Sequence, residues 1–213
     1  MIRDMKRKIR WGGKPVTVIV LAGGRGIRMN AEKASLPVRG ETLLERVLGQ
    51  VAPSFDEVLL SVSPGQKIVV RPNRMSEGRA SEPKMVVDEM PGQGPMAGIL
   101  AGLKAAENDL CAVVACDIPD VPVPILRKLV RAVEEAEIAV TVTPTGQFEP
   151  LFAVYTKAVI PKIEKLLRSG NRSLIPLFSS CRTELVRLED TGRLKNINTR
   201  KDYEAYLKSL GSK

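Results

Sequence analysis

The chain has 213 residues, 44% of them hydrophobic and 27% charged, enough to bury one real core and too few for several large domains. It contains no histidine, and its three cysteines, Cys111, Cys116 and Cys181, show no CxxC spacing. That removes Ser-His-Asp and Cys-His catalysis and the usual zinc enzyme, and leaves carboxylates, Lys, Arg and backbone dipoles, a set suited to phosphate chemistry.

In chain order, residues 1–15 read as a mobile basic tail: Arg3, Lys6, Arg7, Lys8, Arg10 and Lys14 against Asp4 give +5 of a net +9. No secretory apolar region occurs there, and no later run approaches the roughly 20 residues that span a bilayer, so a cytoplasmic protein with no membrane partner is expected. The remaining +4 is dispersed and aromatics are only 4% of the chain, so no nucleic-acid partner is expected. Strands are predicted at "VTVIVLA" (Val16 to Ala22), "EVLLSVS" (Glu57 to Ser63), "KMVVD" (Lys84 to Asp88), "LCAVVACD" (Leu110 to Asp117) and "IAVTVT" (Ile138 to Thr143).

Helical patterns lie between most of them. "TLLERVLGQV" sets Leu43, Leu44, Val47, Leu48 and Val51 on one face, and "PILRKLVRAVEEA" does the same with Ile125, Leu126, Leu129, Val130 and Val133. The alternation predicts a three-layer α/β/α sandwich around a mostly parallel, Rossmann-like sheet. Past Thr143 the order is less regular, with "FEPLFAVY" a strand and "AVIPKIEKLLRSG" and "DYEAYLKSL" helices. Ser63 to Pro83 reads as an exposed loop or short hairpin. One domain is expected over residues 16–213, its nucleotide-binding part at about 16–143 and its acceptor part at about 144–213.

Ligands of such sheets gather at the carboxyl ends of the strands. After the first strand come Gly23, Gly24, Arg25, Gly26 and Arg28, then Lys33. Glycines admit backbone N–H groups to phosphate oxygens, arginines supply paired donors and the lysine is a point charge. The spacing matches neither G-x-x-x-x-G-K-[ST] nor G-x-G-x-x-G. In "VVACDIPDVP", Asp117 sits at a strand end, where one carboxylate suffices for Mg²⁺ that keeps waters and phosphate oxygens. Asp120, close to the next helix, suits a cap or an Asx turn. In "VVDEMPGQGPMAGILAGL", Asp88 and the turn through Gly94 and Pro95 can face a nucleobase. The small residues Ala97, Gly98, Ala101 and Gly102 can equally serve close helix packing.

Taken together, "LAGGRGIRMNAEKASLPVRGETLLERVL", "GPMAGILAGL", "ACDIPDVP", "EPLFAVY", "SGNRSL" and "NINTRKDYE", in that order, resemble the molybdenum cofactor guanylyltransferases and their wider nucleotidyltransferase family. The resemblance implies Mg²⁺-dependent transfer of GMP from GTP to a molybdopterin-type phosphate, with release of pyrophosphate and with partner enzymes of cofactor assembly. It further implies nucleotide contacts at Leu21, Ala22, Gly23, Gly24, Arg25, Lys33, Asp88, Gly94 and Pro95, catalytic roles for Lys33 and Arg28, and Mg²⁺ on Asp117. Acceptor contacts would come from Glu149, Pro150, Arg172, Ser173, Asn196 and Asn198. A relative using CTP or another NTP, with a different cofactor or a sugar phosphate, is the alternative. A non-catalytic nucleotide-binding regulator would need neither Lys33 nor Asp117.

Overall fold

Two short antiparallel strands, β1 (Arg10–Trp11) and β2 (Lys14–Pro15), open the computed structural model, which describes residues 8–23, 33–71, 82–90, 92–189 and 194–211. The turn between them uses Gly12 and Gly13 at φ +53° and +82°, a region that a Cβ disfavours. Lys8–Pro15 are therefore not a mobile tail, and that expectation is corrected. Ile9 is buried and donates its N–H to the Ser54 carbonyl at 2.6 Å, the Trp11 indole N–H donates to the Val133 carbonyl, and Arg10 pairs with Asp56. Ile9 and Trp11 carry apolar surface between the cations, and its removal from water favours docking.

Strand β3 (Thr17–Leu21) starts the main sheet. A small hairpin of β4 (Pro37–Val38) and β5 (Glu41–Thr42) leads into α1 (Leu43–Val51). Thr42 and Glu45 close a reciprocal capping box at the start of α1. There follow β6 (Glu57–Val62), β7 (Lys84–Val87), α2 (Pro95–Ala105), β8 (Leu110–Ala115), α3 (Val123–Ala132), β9 (Ile138–Val142) and β10 (Phe148–Thr156). The chain closes with α4 (Ile160–Arg168), α5 (Ile175–Ser180), β11 (Thr183–Arg187) and α6 (Arg200–Gly211).

The seven-stranded sheet runs β11-β9-β10-β8-β3-β6-β7, with β10 antiparallel to both neighbours and every other pairing parallel. Every residue of β3, β6, β8 and β9 is buried, which is why these strands read as predominantly apolar runs; their polar members, Thr17, Glu57, Ser61 and Thr141, are buried with them. One face carries α1 and α3 over Val18, Val20, Leu60 and Val114. The other carries α2, α4 and α5 over Ile19, Leu59, Val113 and Tyr155. This is the expected three-layer α/β/α sandwich. Helix α6 lies over a third cluster, its Tyr203, Tyr206, Leu207 and Leu210 packing on Val38, Leu43 and Ile197.

Between β6 and β7 the described residues form no strand, and residues 72–81 of the expected loop lie outside the described segments. Among the described residues, no helix is long and apolar enough to cross a membrane.

Candidate active site

Register brings the strand ends together. Leu21 of β3 lies opposite Ser61 on one side and Ala115 on the other, so the segments after β3, β6 and β8 emerge at one level. Backbone bonds hold them there: Ala22 and Gly23 donate to the Ser61 carbonyl at 2.9 and 3.1 Å, and Cys116 donates to the Leu21 carbonyl at 3.0 Å. The cleft above has a volume of about 660 Å³, within the range of nucleotide-sized sites. A hollow of about 720 Å³ between Arg131–Ala136 and Arg182–Glu184 lies at the amino ends of β9 and β11, where parallel sheets do not place their ligands.

Leu21, Ala22, Gly23, Lys33, Asp88, Gly94, Pro95 and Asp117 all line the cleft. Gly24, Arg25 and Arg28 lie outside the described residues. A Cβ on Gly23 would come 3.0 Å from Ser63 Oγ and 3.3 Å from its backbone nitrogen, so glycine there allows the two strand ends to close up. The amino end of α2 opens on the same space, with Gly94 at φ +75° and Pro95 beginning the helix. The positive end of that helix dipole favours anionic ligands.

Across the cleft, Lys33 Nζ donates to Asp117 Oδ2 at 3.0 Å and to Asn198 Oδ1 at 2.9 Å. Lys33 and Asp117 side chains are each about one-fifth exposed, at 20% and 18%, so their attraction is less screened than at an open surface. Asp117 Oδ1 is buried and has no partner among the described residues. An unpaired hard oxygen beside a phosphate-sized space is what a cation with phosphate and water ligands requires, so Asp117 could hold Mg²⁺. Among the described residues, no three His, Cys, Asp or Glu converge as an all-protein cage.

Asp88 is fixed by its N–H on the Val62 carbonyl at 2.9 Å, and its Oδ1 accepts the Met90 N–H at 2.8 Å. One carboxylate oxygen thus shapes the turn, and the other has no hydrogen-bond partner among the described residues. Asp120 does not cap α3. Pro122 stands at the cap position with no side-chain bond, while Asp120 Oδ1 accepts from Arg46 Nη2 and from the Tyr206 hydroxyl, each at 2.9 Å. Its expected capping role is corrected: the Pro119–Pro122 segment turns its carboxylate towards α1 and α6 instead.

The residues expected to meet an acceptor divide. Asn198 reaches Lys33, and the Ile197 N–H donates to the Asp117 carbonyl at 2.8 Å. Asn196 Oδ1 is buried without a partner among the described residues. Burial, and next the nearby Asp117 carboxylate, hold the Glu149 carboxyl above its ordinary pKa. Arg172 Nε donates to Gln93 Oε1 at 3.3 Å, in the turn before α2. Two serve locally: the Pro150 carbonyl accepts the Tyr155 hydroxyl at 2.8 Å, and Ser173 Oγ accepts the Ile175 N–H at 3.3 Å.

Ser61, Ser63, Gly98 and Leu151 also line the cleft and were not expected there. The strand-end rule applied to "EVLLSVS" points to both serines; Leu151, in a bulged antiparallel strand, carries no comparable signal.

Comparison with known proteins decides the family. Residues 18–185 match the model of the MobA-like NTP transferase domain. The chain belongs to the MobA-like NTP transferase family. It is thereby a nucleotidyltransferase by family, and the match spans every strand end that builds the cleft. A molybdenum cofactor guanylyltransferase of Pseudomonas putida is 34% identical over 188 residues, covering 87% of this chain and 94% of the relative. One from Syntrophotalea carbinolica is 30% identical over 198 residues, covering 89% and 90%. Among solved structures, the molybdopterin-guanine dinucleotide biosynthesis protein A of Archaeoglobus fulgidus superposes with a TM-score of 0.71 at 24% identity, over 92% of this chain and all of that one, and shares the fold.

Proposed function

We propose that this protein transfers GMP from GTP to the terminal phosphate of molybdopterin or its metal-bound form, releasing pyrophosphate. The observation that carries the reading is the meeting of Lys33 Nζ and the Asp117 carboxylate at 3.0 Å, with Asp117 Oδ1 unpaired, in a cleft at the carboxyl ends of parallel strands. The two relatives named for molybdenum cofactor guanylyl transfer, both at 30% identity or more, support GTP and this acceptor over other nucleotidyl donors.

The acceptor phosphate is already anionic, so attack on the α-phosphorus requires no base, consistent with the absence of histidine. What the site must supply is position and charge neutralisation. The backbone after Leu21 and the amino end of α2 would cradle the triphosphate, with Arg25 and Arg28 on the departing β- and γ-phosphates. Lys33 would meet the charge that builds on the α-phosphate oxygens. Asp88 would accept from guanine N1–H and N2–H₂ through the oxygen that does not hold the Met90 N–H. Mg²⁺ on Asp117, when bound, would neutralise triphosphate oxygens and align the pyrophosphate for departure. Glu149, Asn196 and Arg172 would face the acceptor from the carboxyl-terminal third.

The test is a nucleotide panel. Purified protein is incubated with GTP, CTP, ATP or UTP, with and without Mg²⁺, in the presence of molybdopterin, and pyrophosphate is followed. Release with GTP and Mg²⁺ far above every other combination is expected. Release with CTP alone, or with no dependence on molybdopterin, would overturn the assignment.

A further inference from the structure

The segment "NINTRKD" joins the cleft to the last helix. Thr199 and Asp202 form a reciprocal cap on α6: Thr199 Oγ1 accepts the Asp202 N–H at 3.2 Å, and Asp202 Oδ2 accepts the Thr199 N–H at 2.8 Å. A cap of this kind needs only those two bonds. Asp202 Oδ2 makes a third, accepting the Asn198 N–H at 3.0 Å. Asn198 lies outside the helix, and its own side-chain oxygen receives Lys33 Nζ at 2.9 Å. Asn198 is exposed, so without the Asp202 bond its rotation would be opposed by little packing.

From these contacts we infer that Asp202 is a positioning residue: by fixing the backbone of Asn198 it sets the place of the Lys33 ammonium, which makes α6 part of the active-site frame. The inference rests on the reading of Lys33 under the proposed function. Two further contacts make the frame rigid. The Tyr203 hydroxyl bonds the Pro37 carbonyl, just beyond the turn that carries Lys33, and the Ile197 N–H bonds the Asp117 carbonyl. The carboxylate that aligns Asn198 is thus joined on both sides to the segments bearing Lys33 and Asp117. Its pKa is lowered, first by the Thr199 hydrogen bonds and in small part by the Lys33 charge, so it is ionised at neutral pH. An ammonium held between two oxygens needs little reorganisation as charge develops on the substrate, and a displacement of about 1 Å in such a group can cost up to about 10²-fold in rate.

The test compares Asp202→Ala, Asp202→Asn, Asn198→Ala and Thr199→Ala in the full chain, with two readouts. The first needs no substrate: the ¹³Cε resonance of Lys33 should move in Asp202→Ala and Asn198→Ala and stay in place in Thr199→Ala, which weakens the helix cap but keeps the bond to Asn198. The second is GMP transfer: kcat should fall about 10- to 100-fold in Asp202→Ala and Asn198→Ala, with nucleotide KM changed by less than about threefold. Thr199→Ala should retain kcat, and Asp202→Asn, which keeps one oxygen at the same reach, should recover most of it. In a Lys33→Ala background, Asp202→Ala should cost nothing more in rate. An unmoved Lys33 resonance, or equal losses in Thr199→Ala and Asp202→Ala that track melting temperature, would overturn the inference. So would a rise confined to acceptor KM in Asn198→Ala. A shifted resonance in a protein that transfers no GMP would instead defeat the functional reading and leave the clamp standing.

Discussion

Replacing Gly102 by alanine tests the packing that sets one wall of the cleft. Gly102 lies in the interior of α2, whose first turn lines the site. Propensity alone favours alanine in a helix interior by about 1 kcal/mol. Packing opposes it: an added Cβ would lie 2.7 Å from Ile19 Cγ2, 2.8 Å from Cδ1 and 3.0 Å from Cγ1, against roughly 3.5–4.0 Å for carbons in ordinary contact. Ile19 is fully buried on the interior strand β3, and three atoms of its branched side chain are met together, so one χ rotation does not clear them all. The helix must lift from the sheet by about 0.5–1 Å, and overpacking of this kind costs about 1–3 kcal/mol. The net expected loss is about 1 kcal/mol, or about 2–4 °C in Tm for a domain this size. Far-UV circular dichroism melts of the wild type, Gly102→Ala, Ile19→Ala and the double variant form a cycle. In the Ile19→Ala background the new methyl enters vacated space, so Gly102→Ala should become neutral or stabilising. A higher Tm for the single variant, or additive effects around the cycle, would show that Gly102 and Ile19 are not packed in this way.

Other changes separate the roles of the carboxylates and thiols. Asp120→Ala should lower stability by about 0.2–1 kcal/mol, since it loses Arg46 and Tyr206 but its side chain is 63% exposed, and kcat should stay within a few fold; lost turnover with an unchanged melt would move the metal assignment to Asp120. Asp88→Asn should weaken GTP by about 1–3 kcal/mol more than CTP or ATP, because the amide opposes guanine's donors; equal weakening of all nucleotides, measured by competition, would limit Asp88 to shaping the turn at Met90. Burial pushes the Cys111 and Cys116 thiols up to about 12, so at pH 8 a thiol-exchange reagent should modify Cys181 alone until the protein is denatured. Rapid reaction of a second thiol in the folded protein would contradict this burial.

What the sequence disclosed follows from which forces act locally. A strand buried on both faces is mostly apolar, so "VTVIVLA" and "LCAVVACD" announced β3 and β8, and with them the places of Gly23 and Asp117. Strand β11, "TELVR", is mostly exposed at the sheet edge and carries neither an unbroken apolar run nor a strict alternation, so no strand was expected there. The β1–β2 hairpin was obscured by its cations, because docking depends on Ile9 and Trp11 finding partners far along the chain. Asp120 looked like a cap from its distance to α3, yet the adjacent prolines send its carboxylate to Arg46, 74 residues away, and Tyr206, 86 residues away. The Lys33–Asn198 bond spans 165 residues, and nothing in either local segment specifies the other. The α6 cap brings Asn198 to Lys33 through Asp202.

Under the proposed function, the bond broken lies between the α- and β-phosphates of GTP in the cleft held by Lys33 and Asp117. This is tested most directly by placing a radiolabel on either the α- or the γ-phosphate of GTP and incubating the protein with molybdopterin and Mg²⁺. The α-label should enter the acceptor product while γ-label leaves entirely as pyrophosphate, and Lys33→Ala should lower product formation by about 10²-fold or more, with GTP binding by equilibrium dialysis reduced far less. Transfer of γ-label to the acceptor, or undiminished α-label transfer by Lys33→Ala, would contradict it.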